Sequence, residues 1–593
     1  MENKMNKKFT PLQNVFFDDS YSEKNKIYSL HINKIIKTIG HTITFIRKDS
    51  DLFLSGAAQI FPNHHYISNT TVKEISLRIG ELIGSVRLLV YFVDGIGSET
   101  IELNMTLTSG SEIITPSIRL KNETGYFYIK ITSLEYNSSV QNISWGINDT
   151  PSALSSCNIL IGITTFKRDE QLHKNLRKIS QCPYLNKLNI DVMIVDNAGS
   201  VDLSEYSYPF LYTSQNNSGG TGGFMRSLCY AKDNNYSHTL FMDDDIEIET
   251  EMLYRSIIFS YLTISPTVTG LMMMKKSNPT TVWEQGAFID KNEIYRGFSY
   301  NFCLDIKNKE NLILLHKNRS SDFIGWWGCI TPTKITPVLP YMFIKNDDVI
   351  SGLILKKKNI PLITLPSAMV WHEDFNKKPY TWQHYYDIRN GIMIRHFENL
   401  KTNKIKIIKS IGKALLKNII SGDYYCAEII LLAFKDALNP SDVYFKNIEE
   451  LKEKHKKIIS HFPLVNISSN ISSIERKNNK RKDLFFSFVS LFGTINPFKR
   501  EFDDDGRKLS IPIGSNIFFH SYRFKNVIFY NPYTFKGYEC NKSIRKTILF
   551  LIKFLKLSLY YTLSGKKFNN QKFTVHQDYW INEFENVIRL NRR

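Results

Sequence analysis

Between about residue 30 and residue 150, apolar and polar positions alternate in short runs broken by Gly, Asn and Ser: ITFIR, LFLSG, ISLRIGEL, VRLLVYFVDG, IELNMTLTSG, TGYFYIKITSL and NISWGI. A period of two places successive side chains on opposite faces of a strand, so the stretch predicts an antiparallel β-sandwich of jelly-roll type over residues 1–155. The pattern changes after Cys157. NILIGITTF and IDVMIVDN are apolar on both faces, RDEQLHKNLRKIS and FMRSLCYAKDN have helical spacing, and PFLYTSQN and HTLFMDDD supply further strands. Strands buried on both faces and separated by helices mark a parallel α/β sheet, assigned to residues 156–400. From about Pro379 onward apolar positions follow a helical period among many lysines, as in KTNKIKIIKSIGKALLKNII and EELKEKHKKII, so residues 401–593 read as a mainly α-helical region.

A sheet of that kind binds its ligand at the carboxyl ends of the strands. Polar residues gather there: Thr164, Thr165 and Arg168 after the first strand, Asp196 and Asn197 after the second, and Asp243, Asp244 and Asp245 after the fourth. Three adjacent carboxylates repel one another unless a cation or hydrogen-bond donors offset the charge, which points to a divalent metal holding a diphosphate. The acidic first turn of a helix is the other reading of DDDIEIE. The run from Asn216 to Phe224 carries four glycines within five positions, which permits close backbone approach and leaves helix N-terminal amides for a phosphorylated ligand. It is neither a Walker loop nor a dinucleotide fingerprint. Trp326-Trp327 is either core or a platform for the flat face of a sugar ring. Asp347-Asp348 opens an apolar helix, as a cap or as a general base. His372 ends the apolar run PLITLPSAMVW, where it is structural or completes an Asp/Asp/His site suited to Mn²⁺ or Mg²⁺.

Composition sharpens this picture at one end. The 593 residues carry a formal net charge of +19, and nearly all of the excess lies in residues 401–593, while the front two thirds are close to neutral. With 42% hydrophobic and 22% charged residues the chain is globular and long enough for several domains. The basic tail asks for an anionic partner, nucleic acid or lipid. It has no zinc-finger or RNP-type signature, which removes nucleic acid. Seven cysteines form no CxxC pair, arguing against a disulfide framework or zinc knuckle. The opening MENKMNKKFTPLQNVFFDDS has no apolar leader core, so a reducing cytoplasm is expected and the Asn-x-Ser/Thr triplets are compositional.

Taken in order, Thr164-Thr165-Phe166-Lys167-Arg168, the Asn216–Phe224 run, Asp243-Asp244-Asp245, Trp326-Trp327, Asp347-Asp348 and Trp371-His372 resemble the mycobacterial-type polymerising galactofuranosyltransferases. These are inverting enzymes with a GT-A nucleotide-sugar fold, an N-terminal β-sandwich and a helical C-terminal region. The resemblance spans roughly residues 30–400. It implies that Asp243, Asp245 and His372 hold a divalent metal against the UDP diphosphate. Thr164, Arg168, Asp196, Asn216 and Asp244 would form the donor site, and Trp326, Trp327, Glu284 and Asp347 the acceptor site. Asp348 would be the base that takes the proton of the acceptor hydroxyl. A single inverting displacement needs one base and no covalent nucleophile. Where that family's pattern leads to an aromatic or apolar residue before the Asp pair, this chain has Asn346.

The reading that follows is transfer of galactofuranose from UDP-galactofuranose to a lipid-linked or polysaccharide acceptor. The alternatives are a GT-A transferase for a pyranose or deoxysugar donor and a non-catalytic carbohydrate-binding or membrane-scaffolding protein. In Ile544–Leu563 the lysines interrupt the apolar run too often for a spanning helix. Lys542, Arg545, Lys546, Lys553 and Lys556 share an arc of about 100°, as in a helix lying on an anionic leaflet or in an amphipathic helix packed on its own domain with the lysines outward. The expected location is peripheral, on the inner face of the cell membrane.

Overall fold

The computed structural model describes residues 8–17, 27–28, 36–289, 297–317, 319–374, 382–397, 403–439, 448–460, 465–466, 480–495, 509–513, 519–564, 574–584 and 589–590. The first seven residues of the stretch read for a leader lie outside them. From Thr10 to Ile147 ten strands pair antiparallel around one long strand, Glu74–Asp94. That strand pairs with Glu99–Ile114 on one side, and with Gly125–Ser133, Ser138–Gln141 and Ser144–Ile147 in turn on the other. Register shifts between Leu82 and Ser85 and between Val90 and Tyr91 bend it, as bulges do. The pairings join all ten strands into one ladder rather than two separately paired sheets.

The central sheet follows the predicted alternation. Leu211–Ser214, Ile190–Asp196, Ile159–Thr165 and His238–Asp243 lie side by side and parallel. Cys329–Pro332 then runs antiparallel to His238–Asp243, and beyond it Val268–Lys275 and Leu362–His372 again run with the first four. All seven residues of Ile159–Thr165 are buried, which is why the run is apolar without alternation. The register sets Thr164 beside Asp243, Thr165 beside Asp196, and His372 beside Ile246, so the polar strand ends share one edge.

Helix Thr250–Leu262 explains how the two sheets stay together. Every residue from Glu251 to Leu262 is buried, so the helix has no solvent face and must be covered on both sides. One cover is the N-terminal strand Thr10–Asn14: the Tyr254 hydroxyl donates to Pro11 O at 2.9 Å, and Asn14 N donates to Glu251 Oε1 at 2.6 Å. Arg255, fully buried, forms an ion pair with Glu251 and donates to Ala58 O at 2.7 Å and Ser367 O at 2.9 Å. Its guanidinium therefore ties the N-terminal sheet, this helix and the strand Leu362–His372 to one point.

The last third departs from a helical reading. Helices Lys404–Ser421, Tyr424–Ala437, Ile448–Ser460, Lys480–Val489 and Ile544–Leu563 are joined by a four-stranded sheet of Val465–Asn466, Lys536–Asn541, Asn526–Tyr530 and Leu509–Pro512. The chain then returns to the central sheet, where Arg589–Leu590 pairs with the edge strand Leu211–Ser214. Lys542 also departs from expectation. It precedes the helix, which Ser543 caps, and it is buried with its amine donating to Ser521 O at 2.7 Å, so it is no part of a basic face. Burial pulls its pKa down to about 7. No helix among the described residues is long and apolar enough to cross a membrane. All seven cysteines are free.

Removing one partner of a buried ion pair leaves the other charge uncompensated, so Arg255→Met should destabilise the fold by about 3–5 kcal/mol, read as an earlier first transition in thermal unfolding. Replacing Glu251 with Leu as well should recover most of that loss.

Candidate active site

The metal-ligand candidates come together as predicted. One donor atom each from Asp243, Asp245 and His372 lie within 4.8 Å of one another. His372 Nδ1 is 2.6 Å from Glu373 O, and a carbonyl only accepts, so Nδ1 carries the proton and Nε2 presents its lone pair inward. Nε2 is 3.1 Å from Asp245 Oδ1. Two acceptors at that distance need a proton or a cation between them. Two carboxylates and one imidazole form the mixed oxygen and nitrogen donor set of a Mn²⁺-type site.

Asp244 points the other way. It accepts from Thr165 Oγ1 at 2.9 Å, Phe166 N at 3.2 Å and Arg168 Nη1 at 2.9 Å. Arg168 also reaches Asp245 Oδ2 at 2.6 Å. Burial still raises the Asp244 pKa, against the pull of Arg168. Asp244 is thus a brace for Arg168 and the first strand end, and it stands outside the group of Asp243, Asp245 and His372. Asp196 is likewise occupied: it accepts from Ala198 N, Val201 N and Tyr212 Oη within 3.2 Å, shaping its own loop rather than presenting a free carboxylate to a nucleoside. Thr164 Oγ1 is buried without a hydrogen-bond partner among the described residues, and Asn216 is exposed at the rim.

The glycine run lies inside the helix, not ahead of it: Gly219–Asp233 is helical from its first glycine. Three glycines are required by close approach, among them Gly222, where a Cβ would lie 2.2 Å from Ser218 Cβ. A Cβ on Gly223 would lie 2.2 Å from the Thr164 side chain, and one on Gly219, whose φ is +69°, would lie 2.1 Å from Phe343 O. The run packs the helix start against a strand end and against the loop that carries the Asp pair.

That loop is strained. Phe343, Lys345 and Asn346 take φ of +70°, +70° and +65°, a region costing an L-residue about 1–2 kcal/mol. Asn tolerates it better than an aromatic or apolar side chain, which gives Asn346 a physical reason. The strain is held from three sides. Thr221 N donates to Phe343 O at 3.1 Å, Asn390 Nδ2 to Lys345 O at 2.8 Å, and Arg389 Nη2 to Met342 O at 2.9 Å. From the C-terminal tail, Trp580 Nε1 donates to Leu339 O at 2.9 Å, and Tyr341 N donates to Tyr579 Oη at 3.2 Å.

Held this way, helix Asp347–Lys357 starts inside the site. Thr221 Oγ1 donates to Asp347 Oδ2 at 2.8 Å. Burial, then the charges of Asp347, Glu284 and Asp243, hold the Asp348 carboxyl well above its ordinary value. Glu284 is buried, accepts from Ser299 Oγ at 2.7 Å through Oε2, and has no partner for Oε1 among the described residues. Burial pushes its pKa up to about 7.

Both residues of the tryptophan pair are buried. Trp326 is buried between Phe224 and Phe241, at centroid distances of 5.2 Å and 4.7 Å, and Trp327 Nε1 donates to Leu271 O at 3.3 Å. The Trp326 ring is packed against aromatic neighbours rather than open to solvent. Thr221 and the tail residues Tyr579 and Trp580 were not found by sequence reasoning. Thr221 is hidden within the glycine run, and the tail carries no periodicity that ties it to the sheet.

No protein-family model matches the chain. It is similar to the curated galactofuranosyltransferase GlfT2 of Mycobacterium tuberculosis, 25% identical over 450 residues that span 70% of each chain. It is also similar to that of Mycolicibacterium smegmatis, 25% identical over 469 residues that span 74% of this chain and 71% of the other. The likeness to these two relatives supports a glycosyltransferase similar to GlfT2. Solved structures overlap it in part. GalNAc-T7, solved with UDP, GalNAc and Mn²⁺, gives a TM-score of 0.32 at 10% identity, over 53% of this chain and 56% of that one. The mannosyltransferase PcManGT of Pyrobaculum calidifontis gives 0.27 at 9% identity, over 47% and 74%.

In the glycosyltransferase, Trp580→Ala should lower kcat more than it raises KM, because it frees the loop bearing the Asp pair without touching the donor edge. Trp580→Phe, which keeps the ring and loses one hydrogen bond, should recover most of the rate; steady-state transfer kinetics check this.

Proposed function

We propose that the chain is an inverting, divalent-cation-dependent transferase that moves galactofuranose from UDP-galactofuranose to a hydroxyl of a lipid-linked or polysaccharide acceptor in cell-surface glycan synthesis. The sugar rests on the similarity to GlfT2, and the UDP donor on the family resemblance of the motifs. The supporting observation is the cluster of Asp243, Asp245 and His372 on the edge whose charges act on Asp348. The residues fit a cation of the Mn²⁺ or Mg²⁺ class, held by those three side chains. Bound there, it would offset the charge of a leaving diphosphate. Arg168 lies beside the same edge and adds positive charge for the donor. Asp348 is the base: a carboxyl with a raised pKa is a stronger proton acceptor once ionised. Thr221 orients Asp347, and the unpartnered Glu284 Oε1 is an acceptor for a sugar hydroxyl.

Incubation with UDP-galactofuranose, Mn²⁺ and a short synthetic lipid-linked acceptor should extend the acceptor, read by mass spectrometry; transfer from UDP-galactopyranose alone would overturn the donor assignment. EDTA and Asp245→Ala should each abolish transfer, with the variant still folded by circular dichroism. A purely structural triplet would leave transfer intact. Asp348→Asn should lower kcat by about a hundred- to ten-thousand-fold. Asp347→Asn removes a like charge, which lowers the Asp348 pKa, so the acid limb of kcat/KM should move to lower pH while transfer persists.

The same reading places the protein at a membrane surface through helix Ile544–Leu563. Phe550, Leu551, Phe554, Leu557 and Tyr561 turn inward. Ile548, Ile552, Leu555, Leu559 and Leu563 form an outward stripe, with Leu555 64%, Leu559 60% and Leu563 73% exposed. Arg545, Lys546, Lys553 and Lys556 flank it. An apolar stripe edged by lysines suits shallow insertion into an anionic leaflet. Flotation with phosphatidylglycerol vesicles should be lost in Leu555→Glu/Leu559→Glu.

A further inference from the structure

Beside that helix lies a cavity of about 590 Å³ between Tyr424–Ala437, Ile448–Ser460 and Ile544–Leu563. Its floor is apolar, made by Leu431, Leu432, Phe550 and Leu557. Five lysines line it with one carboxylate, Glu428. Lys454 is answered by Asp436, 2.5 Å away. Lys435, Lys457, Lys553 and Lys556, which come from all three helices, have no ion pair among the described residues. Four ammonium groups around one greasy floor repel each other unless an anion sits among them. All four are lysines, compact point charges that suit phosphate without the planar match an arginine imposes.

We infer that this groove is a binding site for a single lipid phosphate or diphosphate. Its phosphate oxygens lie among Lys435, Lys457, Lys553 and Lys556, and its hydrocarbon chain lies on Leu431, Phe550 and Leu557. At about 100° per residue, Lys556 and Lys553 stand on the helix flank between the groove and the outward stripe Ile548–Leu563. A lipid drawn from a leaflet can therefore reach the groove with its chain still in contact with apolar surface. The choice of a lipid over free phosphate rests on the membrane reading above and on the apolar floor, which a free anion would leave bare.

Calorimetric titration of the full chain separates these possibilities, using dodecyl phosphate below its critical micelle concentration, inorganic pyrophosphate, and dodecyl maltoside as the uncharged amphiphile. Dodecyl phosphate should bind, and the other two should bind about tenfold or more weakly, because each satisfies only the lysines or only the floor. Lys553→Glu/Lys556→Glu should weaken dodecyl phosphate by a similar factor while transfer to a short water-soluble acceptor is unchanged; if it misfolds, Lys435→Gln/Lys457→Gln on the opposite wall should give the same loss. Equal binding of dodecyl maltoside, equal binding of pyrophosphate, or undiminished binding by a folded variant would each overturn the site. Leu555→Glu/Leu559→Glu should lose vesicle flotation yet keep dodecyl phosphate, so failure of the membrane reading and failure of the groove give different results.

Discussion

Six acidic side chains, Asp243, Asp244, Asp245, Asp347, Asp348 and Glu284, are brought toward the carboxyl edge of one sheet, and that concentration of like charge constrains the surrounding structure. Arg168 meets two of them, and Lys345 acts on Asp347 from its own loop. Burial is what first makes Glu284 and Asp348 hold their protons more tightly than exposed carboxyls do, and at Asp348 the charges of Asp347, Glu284 and Asp243 add to it. A divalent cation between Asp243, Asp245 and His372 would relieve the edge, and it would also prepare it for a diphosphate. In the proposed function, metal site, base and substrate charge would thus belong to one electrostatic problem.

Holding such a cluster together requires a scaffold that tolerates strain. Three non-glycine residues in left-handed conformation before Asp347 would not persist in a free loop. They persist because the start of helix Gly219–Asp233, the side chains of Arg389 and Asn390, and the tail around Trp580 fix the loop carbonyls. The glycines at 219 and 223 are needed for that packing, since any side chain there would displace Phe343 or Thr164. The C-terminal tail is therefore part of the catalytic body, and the helices that precede it share one buried core with that body.

Much of this was legible in the sequence where local pattern and location agreed. Apolar runs ending in Thr164, Asp196 and Asp243 announced parallel strands and the edge they share, and His372 at the end of another apolar run was correctly placed beside the triplet. What could not be read depended on contacts distant in the chain. Nothing near Trp326 distinguishes an indole packed on Phe224 and Phe241 from one open to a sugar. Asp196 is polar at a strand end whether it faces a ligand or folds its own turn, and only the donors from Ala198, Val201 and Tyr212 decide. Lys542 counted as one more basic residue on a helical wheel until the chain path put it under Gly422 and against Ser521.

The charge asymmetry along the chain follows the same logic at larger scale. Lysines in the last third could in principle have offset the acidic edge, but charges separated by more than about 8 Å are largely screened at physiological ionic strength. Neutralisation works only by contact, and Lys435, Lys457, Lys553 and Lys556 make none with a carboxylate among the described residues. Each end is then left to find its own counter-ion: a small cation where carboxylates converge on imidazole, and an anion with a hydrocarbon chain where ammonium groups ring an apolar floor. Under the proposed function both would serve, because the charged donor would be gripped at the sheet edge while the acceptor's anchor would be held by a surface that does not compete for the same metal.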